Sequence, residues 1–154
     1  MNTDQINSAL EGYELFQGTH PANHIPCAVP NRDQAFIINT DPCIKEGQHW
    51  VALTILKDGS AEYFDSFGRR ILNTYIQQYV DEHCTKPPCK QSAVWLQHPL
   101  SKSCGLFCID FIKHRSKGFD LESYLSTFKV GDFYGTEIRM IDLQCRLKRA
   151  GRLK

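Results

Sequence analysis

Apolar residues change their spacing several times along the chain, and each change marks a predicted element. Near the start, Ile6, Leu10 and Tyr13 recur at helical spacing behind Thr3 or Asp4 as cap, predicting a helix that ends before Gly18. Pro21, Pro26 and Pro30 then fall within residues 19–33, which predicts an ordered but irregular surface segment. The period tightens next. Residues 35–39, 49–56 and 61–64 are rich in Ile, Val, Phe, Trp and Tyr, with turn-formers such as Lys57-Asp58-Gly59-Ser60 between the last two. Those two are expected to pair as an antiparallel hairpin.

Beyond Gly68 the pattern turns helical again. Ile71, Leu72, Tyr75, Ile76, Tyr79 and Val80 form a stripe that Pro87 and Pro88 terminate. Residues 92–96 read as a short strand, and residues 103 to about 114 as a helix that buries Leu106, Phe107, Ile109, Phe111 and Ile112. Further helices are expected over 121–128 and 136–147. The sum is an α+β fold, a central and mostly antiparallel sheet flanked by helices, with Cys104 at a helix N-terminus. At 154 residues the chain fits a single domain over 1–154.

Composition removes several classes. With 42% apolar residues and 23% charged residues, the chain is that of an ordinary globular domain rather than a disordered one. It has no apolar run near the ~20 residues a membrane span needs, and its first residues lack the pattern of a signal peptide, so an intracellular protein is expected. Seven cysteines, at 27, 43, 84, 89, 104, 108 and 145, then read as reduced thiols rather than a disulfide framework. The net charge of +1 gives no overall pull toward nucleic acid. Residues 145–154 are nevertheless locally basic, with Arg146, Lys148, Arg149, Arg152 and Lys154, and read either as a solvated terminus or as a nucleic-acid contact.

The candidate chemistry begins with Cys104. A cysteine at the start of a helix faces unpaired backbone N–H groups and the positive end of the dipole, which favours the thiolate. Gly105 beside it leaves room for a substrate carbonyl to approach. A thiolate nucleophile needs an imidazole to carry protons, and His49 stands at the mouth of a predicted strand, followed by Trp50. In the expected hairpin, position 49 pairs with about 67 or 68, which brings Asp65 near His49 to orient and charge the ring. Gln97, seven residues before Cys104, supplies an amide N–H₂ that would join the Cys104 backbone N–H in an oxyanion hole. Trp50 and Gly105 are the candidate substrate-binding residues, and Cys108, one turn beyond Cys104, is expected to face the core.

Together, GQHW at 47–50, FDSFG at 64–68, Gln97 and CGLFC at 104–108 resemble the signature of the adenovirus protease (adenain) family of cysteine endopeptidases, which is related to the SUMO- and NEDD8-specific proteases. Segments around Phe16-Gln17-Gly18-Thr19 and AFIINT extend the resemblance over roughly residues 13–112. It implies cleavage at Gly-Gly or Gly-x-Gly sites, in viral structural precursors during virion maturation, in a host nucleus or virion. It also implies DNA and a disulfide-linked activating peptide as cofactors, the peptide falling in the region of Cys84 or Cys89. The sequence departs from adenains in carrying Asp65 where they use Glu, as the SUMO- and NEDD8-specific relatives do, and in a shorter chain after Cys104.

Competing readings remain open. One is an isopeptidase of SUMO or another ubiquitin-like protein, although the spacing from Gln97 to Cys104 and the CGLFC run lean toward adenain. Another is a noncatalytic nucleic-acid-binding module that uses the basic tail. His83, Cys84, Cys89 and His98 lack the paired spacing of a structural zinc site, so no metal is expected.

Overall fold

The computed structural model describes residues 1–40 and 49–154. Its elements run α1 (Thr3–Ala9), β1 (Phe16–Pro21), β2 (Gln34–Asn39), β3 (Trp50–Ile55), β4 (Ala61–Phe64), α2 (Thr74–His83), β5 (Lys90–Gln91), α3 (Cys104–Ser116), α4 (Leu121–Leu125) and α5 (Phe133–Arg149). The five strands form one sheet in the order β1-β2-β3-β4-β5. Its central pairings are antiparallel and its edge pairings, β1 with β2 and β4 with β5, are parallel. The α+β class and the hairpin follow the sequence pattern.

Both faces of the sheet are covered, which explains the near-continuous apolar strands. Ala35, Ile37, Trp50, Ala52 and Phe64 point to one core with α1, α3, α4 and α5, while Phe36, Ile38, Val51, Leu53 and Tyr63 point to a second core under α2. Helix α3 lies inside the first core. Nine of its residues, from Cys104 to Ile112, are buried, and Phe111 packs with Phe64 and Tyr124 at ring separations of 5.2 and 5.3 Å. A helix buried over nine consecutive residues has to sit where every side has a neighbour, and the one charge in that run, Asp110, is paired with Arg139.

Several elements differ from the sequence reading. Helix α1 stops at Ala9 and is capped by Asn2, whose side chain and Gln5 form a reciprocal capping box, rather than by Thr3 or Asp4. Part of the segment expected to be irregular is strand β1, which ends on Pro21 and draws its hydrogen bonds from the parallel neighbour β2. Helix α2 starts after Asn73, whose side chain accepts from Tyr75 N and Ile76 N, so Ile71 and Leu72 lie outside it. The strand expected over 92–96 is displaced to β5, upstream of it. The basic segment is no frayed end: α5 runs through Arg149, Leu153 is buried, and the Arg152 guanidinium donates to Glu11 O.

Candidate active site

The hairpin sets the first half of the site. Pairing of Ala52 with Phe64 and Ile55 with Ala61 continues to place 51 opposite 65 and 49 opposite 67, the register expected from sequence. His49 and Asp65 thus leave adjacent strands at the same end. His49 Nε2 lies 3.0 Å from Asp65 Oδ1, which also accepts from Phe67 N at 2.8 Å. The Phe67 ring lies 5.3 Å from the imidazole, and Arg69 reaches the other carboxylate oxygen at 3.4 Å. Asp65 is itself anchored, because Ser92 Oγ accepts from its N–H at 2.9 Å and donates to its carbonyl at 3.1 Å.

The second half comes from the start of α3. Cys104 is the first helical residue and is 7% exposed. Ser103 gives no side-chain cap, because its hydroxyl donates to Glu137 Oε2 at 3.1 Å, so the first turn of N–H groups faces the sulfur without a competing side-chain acceptor from the cap. The Cys104 thiol is hydrogen-bonded to His49. With Nε2 committed to Asp65, the ring nitrogen left for the sulfur is Nδ1.

These contacts decide the charge on the ring. Burial, the largest single influence, would lower the His49 pKa, but the hydrogen bonds and negative charges of Asp65 and Cys104 outweigh it and raise the value from 6.5 to about 9. His49 is therefore an imidazolium at neutral pH. Burial pushes the thiol of Cys108 well up, which leaves it a core residue, as expected from its place one turn further on.

Gln97 is 1% exposed and held at both ends of its amide. Its Oε1 accepts from Ser66 Oγ at 2.5 Å, and its Nε2 donates to Ser101 O at 2.8 Å. Because Ser66 fixes the oxygen, the amide nitrogen keeps a second N–H beyond the one given to Ser101 O. Leu96 N and Gln97 N both donate to Ser66 O, so the segment beside Asp65 and the segment carrying Gln97 form one unit. Gly68 permits this approach: it has φ +70, and a β-carbon there would lie 2.7 Å from Val94 C.

Trp50 is 3% exposed, and its indole N–H donates to Met1 O at 3.1 Å. Met1 also covers Gly105, where a β-carbon would meet Met1 Sδ at 3.1 Å and Trp50 Cδ1 at 3.4 Å. Cys84 and Cys89 pack on the core under α2, and burial pushes Cys89 up to about 12. That core is across the sheet from Cys104. Cys43 and the Gly47-Gln48 part of the histidine motif lie outside the described residues. The sequence reading missed Ser66, Ser92, Arg69 and Met1 as parts of the site. Only Arg69, four residues after Asp65, carried a local signal.

A sequence profile of the Ulp1 protease family, C-terminal catalytic domain, matches residues 13–147. The chain belongs to the Ulp1 protease family. This membership places it among cysteine protease domains. No curated protein sequence matches the chain. Among solved structures, it is similar to the central domain of an uncharacterized Legionella pneumophila protein, with a TM-score of 0.50 and 15% identity over 93% of this chain and 98% of that one. It is also similar to the ASFV pS273R protease, with a TM-score of 0.46 and 21% identity over 71% of this chain, and it spans only 43% of that protease's length. Among the described residues no helix is long and apolar enough to cross a membrane.

Proposed function

We propose that this Ulp1-family domain is a cysteine endopeptidase that cuts at glycine-containing sites through Cys104, His49, Asp65 and Gln97. The observation carrying the proposal is the shared hydrogen-bonded line from Asp65 through His49 to Cys104, with the ring charged by both partners. The Cys104 thiolate adds to the scissile carbonyl carbon, and the resulting oxyanion accepts from the Cys104 backbone N–H and the Gln97 amide. As the C–N bond breaks, His49 gives its Nδ1 proton to the leaving amine. Water then attacks the thioester with His49 as base, releasing the carboxylate and restoring the thiolate. A Cys104 only 7% exposed, in the same core as the buried Trp50, favours a residue without a side chain at the cleaved carbonyl.

The wider role proposed is maturation of viral structural precursors, in virions or a host nucleus, with DNA at the basic segment and an activating peptide at Cys84 or Cys89. It rests on the motif resemblance. A second reading, removal of SUMO or another ubiquitin-like protein from its conjugates, is favoured by the family match and by Asp65 at the acid position. A peptide panel carrying Gly-Gly, Gly-x-Gly or Ala-Ala sites, assayed beside SUMO and ubiquitin fusions with and without DNA, separates them. Cleavage after glycine in the peptides, abolished in Cys104→Ala, supports the endopeptidase. Processing of the fusions alone reverses the ranking, and no cleavage of either overturns both.

A further inference from the structure

Beside His49 the surface sinks into a pocket of about 420 Å³ lined by Thr40, His49, Tyr63, Asp65, Arg69, Arg70, Leu72 and Asn73. Neither Cys104 nor Gln97 lines it. That division matters for a substrate. The acyl half must place its carbonyl at Cys104 and Gln97, whereas the leaving amine collects its proton from His49. A pocket that shares His49 but not the nucleophile is suited to the leaving half of the chain.

Among the described residues its charge is one-sided: Asp65 is the only acid of that lining, and its oxygens already meet His49, the Phe67 N–H and Arg69. Arg69 is held by that contact and by the Phe67 ring, 5.1 Å from its guanidinium carbon. Arg70 is exposed and makes no ion pair among the described residues. Tyr63 is kept a neutral phenol by burial, and Leu72, 70% exposed, offers an apolar rim. The frame is fixed, since Asn73 Nδ2 donates to Thr40 O at 3.3 Å and Thr40 N donates to His49 O at 3.0 Å. A carboxylate on a short aliphatic stem matches such a pocket: its charge meets the arginines and its methylenes meet Leu72.

We propose that this pocket is a specificity site for an acidic side chain, Asp or Glu, within the first few residues of the leaving segment, read chiefly by Arg70 with Arg69 as the fixed second charge. The inference rests on the proteolytic reading and adds the substrate class on one side of the cut. Arg70 touches none of the reacting groups. Its role is selection.

The test is a set of quenched peptides that share one Gly-Gly acyl half and carry Glu, Ser or Lys at each of the first leaving-side positions. At low salt, kcat/KM should be about five- to tenfold higher for Glu than for Lys at one of these positions, and the ratio should shrink in high salt. Arg70→Glu should invert the preference while leaving the Ser peptide within about twofold of the parent rate. Equal rates for Glu and Lys, or a preference that survives Arg70→Glu, overturn the proposal. If no peptide is cut, leaving-half peptides titrated against Cys104→Ala give a separate answer. Tighter binding of the Glu peptide that depends on Arg70 keeps the pocket and discards the proteolytic reading, and equal binding overturns the pocket as well.

Discussion

Replacing Asp65 by Asn keeps the shape of the side chain and removes its charge, so it isolates what the carboxylate does for His49. In the native protein the imidazole rises from 6.5 to about 9 although burial works against it. At about 1.4 kcal/mol per pH unit, that difference amounts to about 3 kcal/mol favouring the charged ring. The side chain of His49 is 12% exposed, so solvent screening removes little of it. The sign is fixed by the direction of the shift: a folded value above the unfolded one gives stabilisation that is full below pH 6.5 and lost as the pH rises through 9. With the main counterweight gone, burial should return the Asn variant's ring toward or below its unperturbed value. The alkaline limb of kcat/KM, near pH 9 in the parent, should move down by at least a pH unit, and activity at neutral pH should fall about 10²- to 10⁴-fold. Urea unfolding between pH 6 and 9.5 should show a decline in stability that the variant largely lacks. An Asp65→Asn protein with an unchanged alkaline limb and activity within a few-fold would refute the assignment of the charge to this carboxylate.

Other positions test the remaining parts. Gln97→Ala should lower kcat about 10²- to 10³-fold with little change in KM, and should also cost about 1 to 3 kcal/mol of stability by leaving the buried Ser66 hydroxyl unpaired. Both are read from steady-state kinetics and a urea midpoint. Glu62 is buried in the sheet, accepts from Thr54 Oγ1 and Leu121 N, and faces Arg115 Nε at 3.0 Å without an aligned hydrogen bond. Arg115→Ala should therefore strand a buried carboxylate and lower unfolding stability by about 3 kcal/mol. Mild alkylation followed by peptide mapping should label Cys104 and spare Cys108, which is fully buried with its thiol pushed well up.

Strands β2, β3 and β4 were legible because a sheet covered on both faces needs apolar side chains at nearly every position. The run from Cys104 to Ile112 was legible for the same reason. Strand β1 was hidden by Gly18 and Pro21 and by half-buried residues with no alternation, since it exists through its parallel neighbour rather than its own pattern. The two-residue β5 is likewise created by pairing with β4. Ile71 and Leu72 fit the helical stripe, but Asn73 is the better cap and the helix begins behind it. Within the site, the approach of His49 to Asp65 followed from hairpin register. The bond of Ser66 to Gln97 and the contact of Met1 with Trp50 depend on segments brought together only by the fold. Adjacent positions in sequence carry no trace of them.

The central claim is that Cys104 is a nucleophile activated by His49 and directed at glycine. An electrophilic Gly-Gly probe, such as a Gly-Gly vinyl ester, incubated with the protein and followed by intact mass and peptide mapping, tests it most directly. One adduct per chain, located on Cys104, slowed strongly in His49→Ala and replaced by no adduct when the probe carries Ala-Ala, is the expected result. An adduct on Cys27 or Cys145 instead, or equal labelling of Cys104 in the parent and His49→Ala proteins, would contradict it.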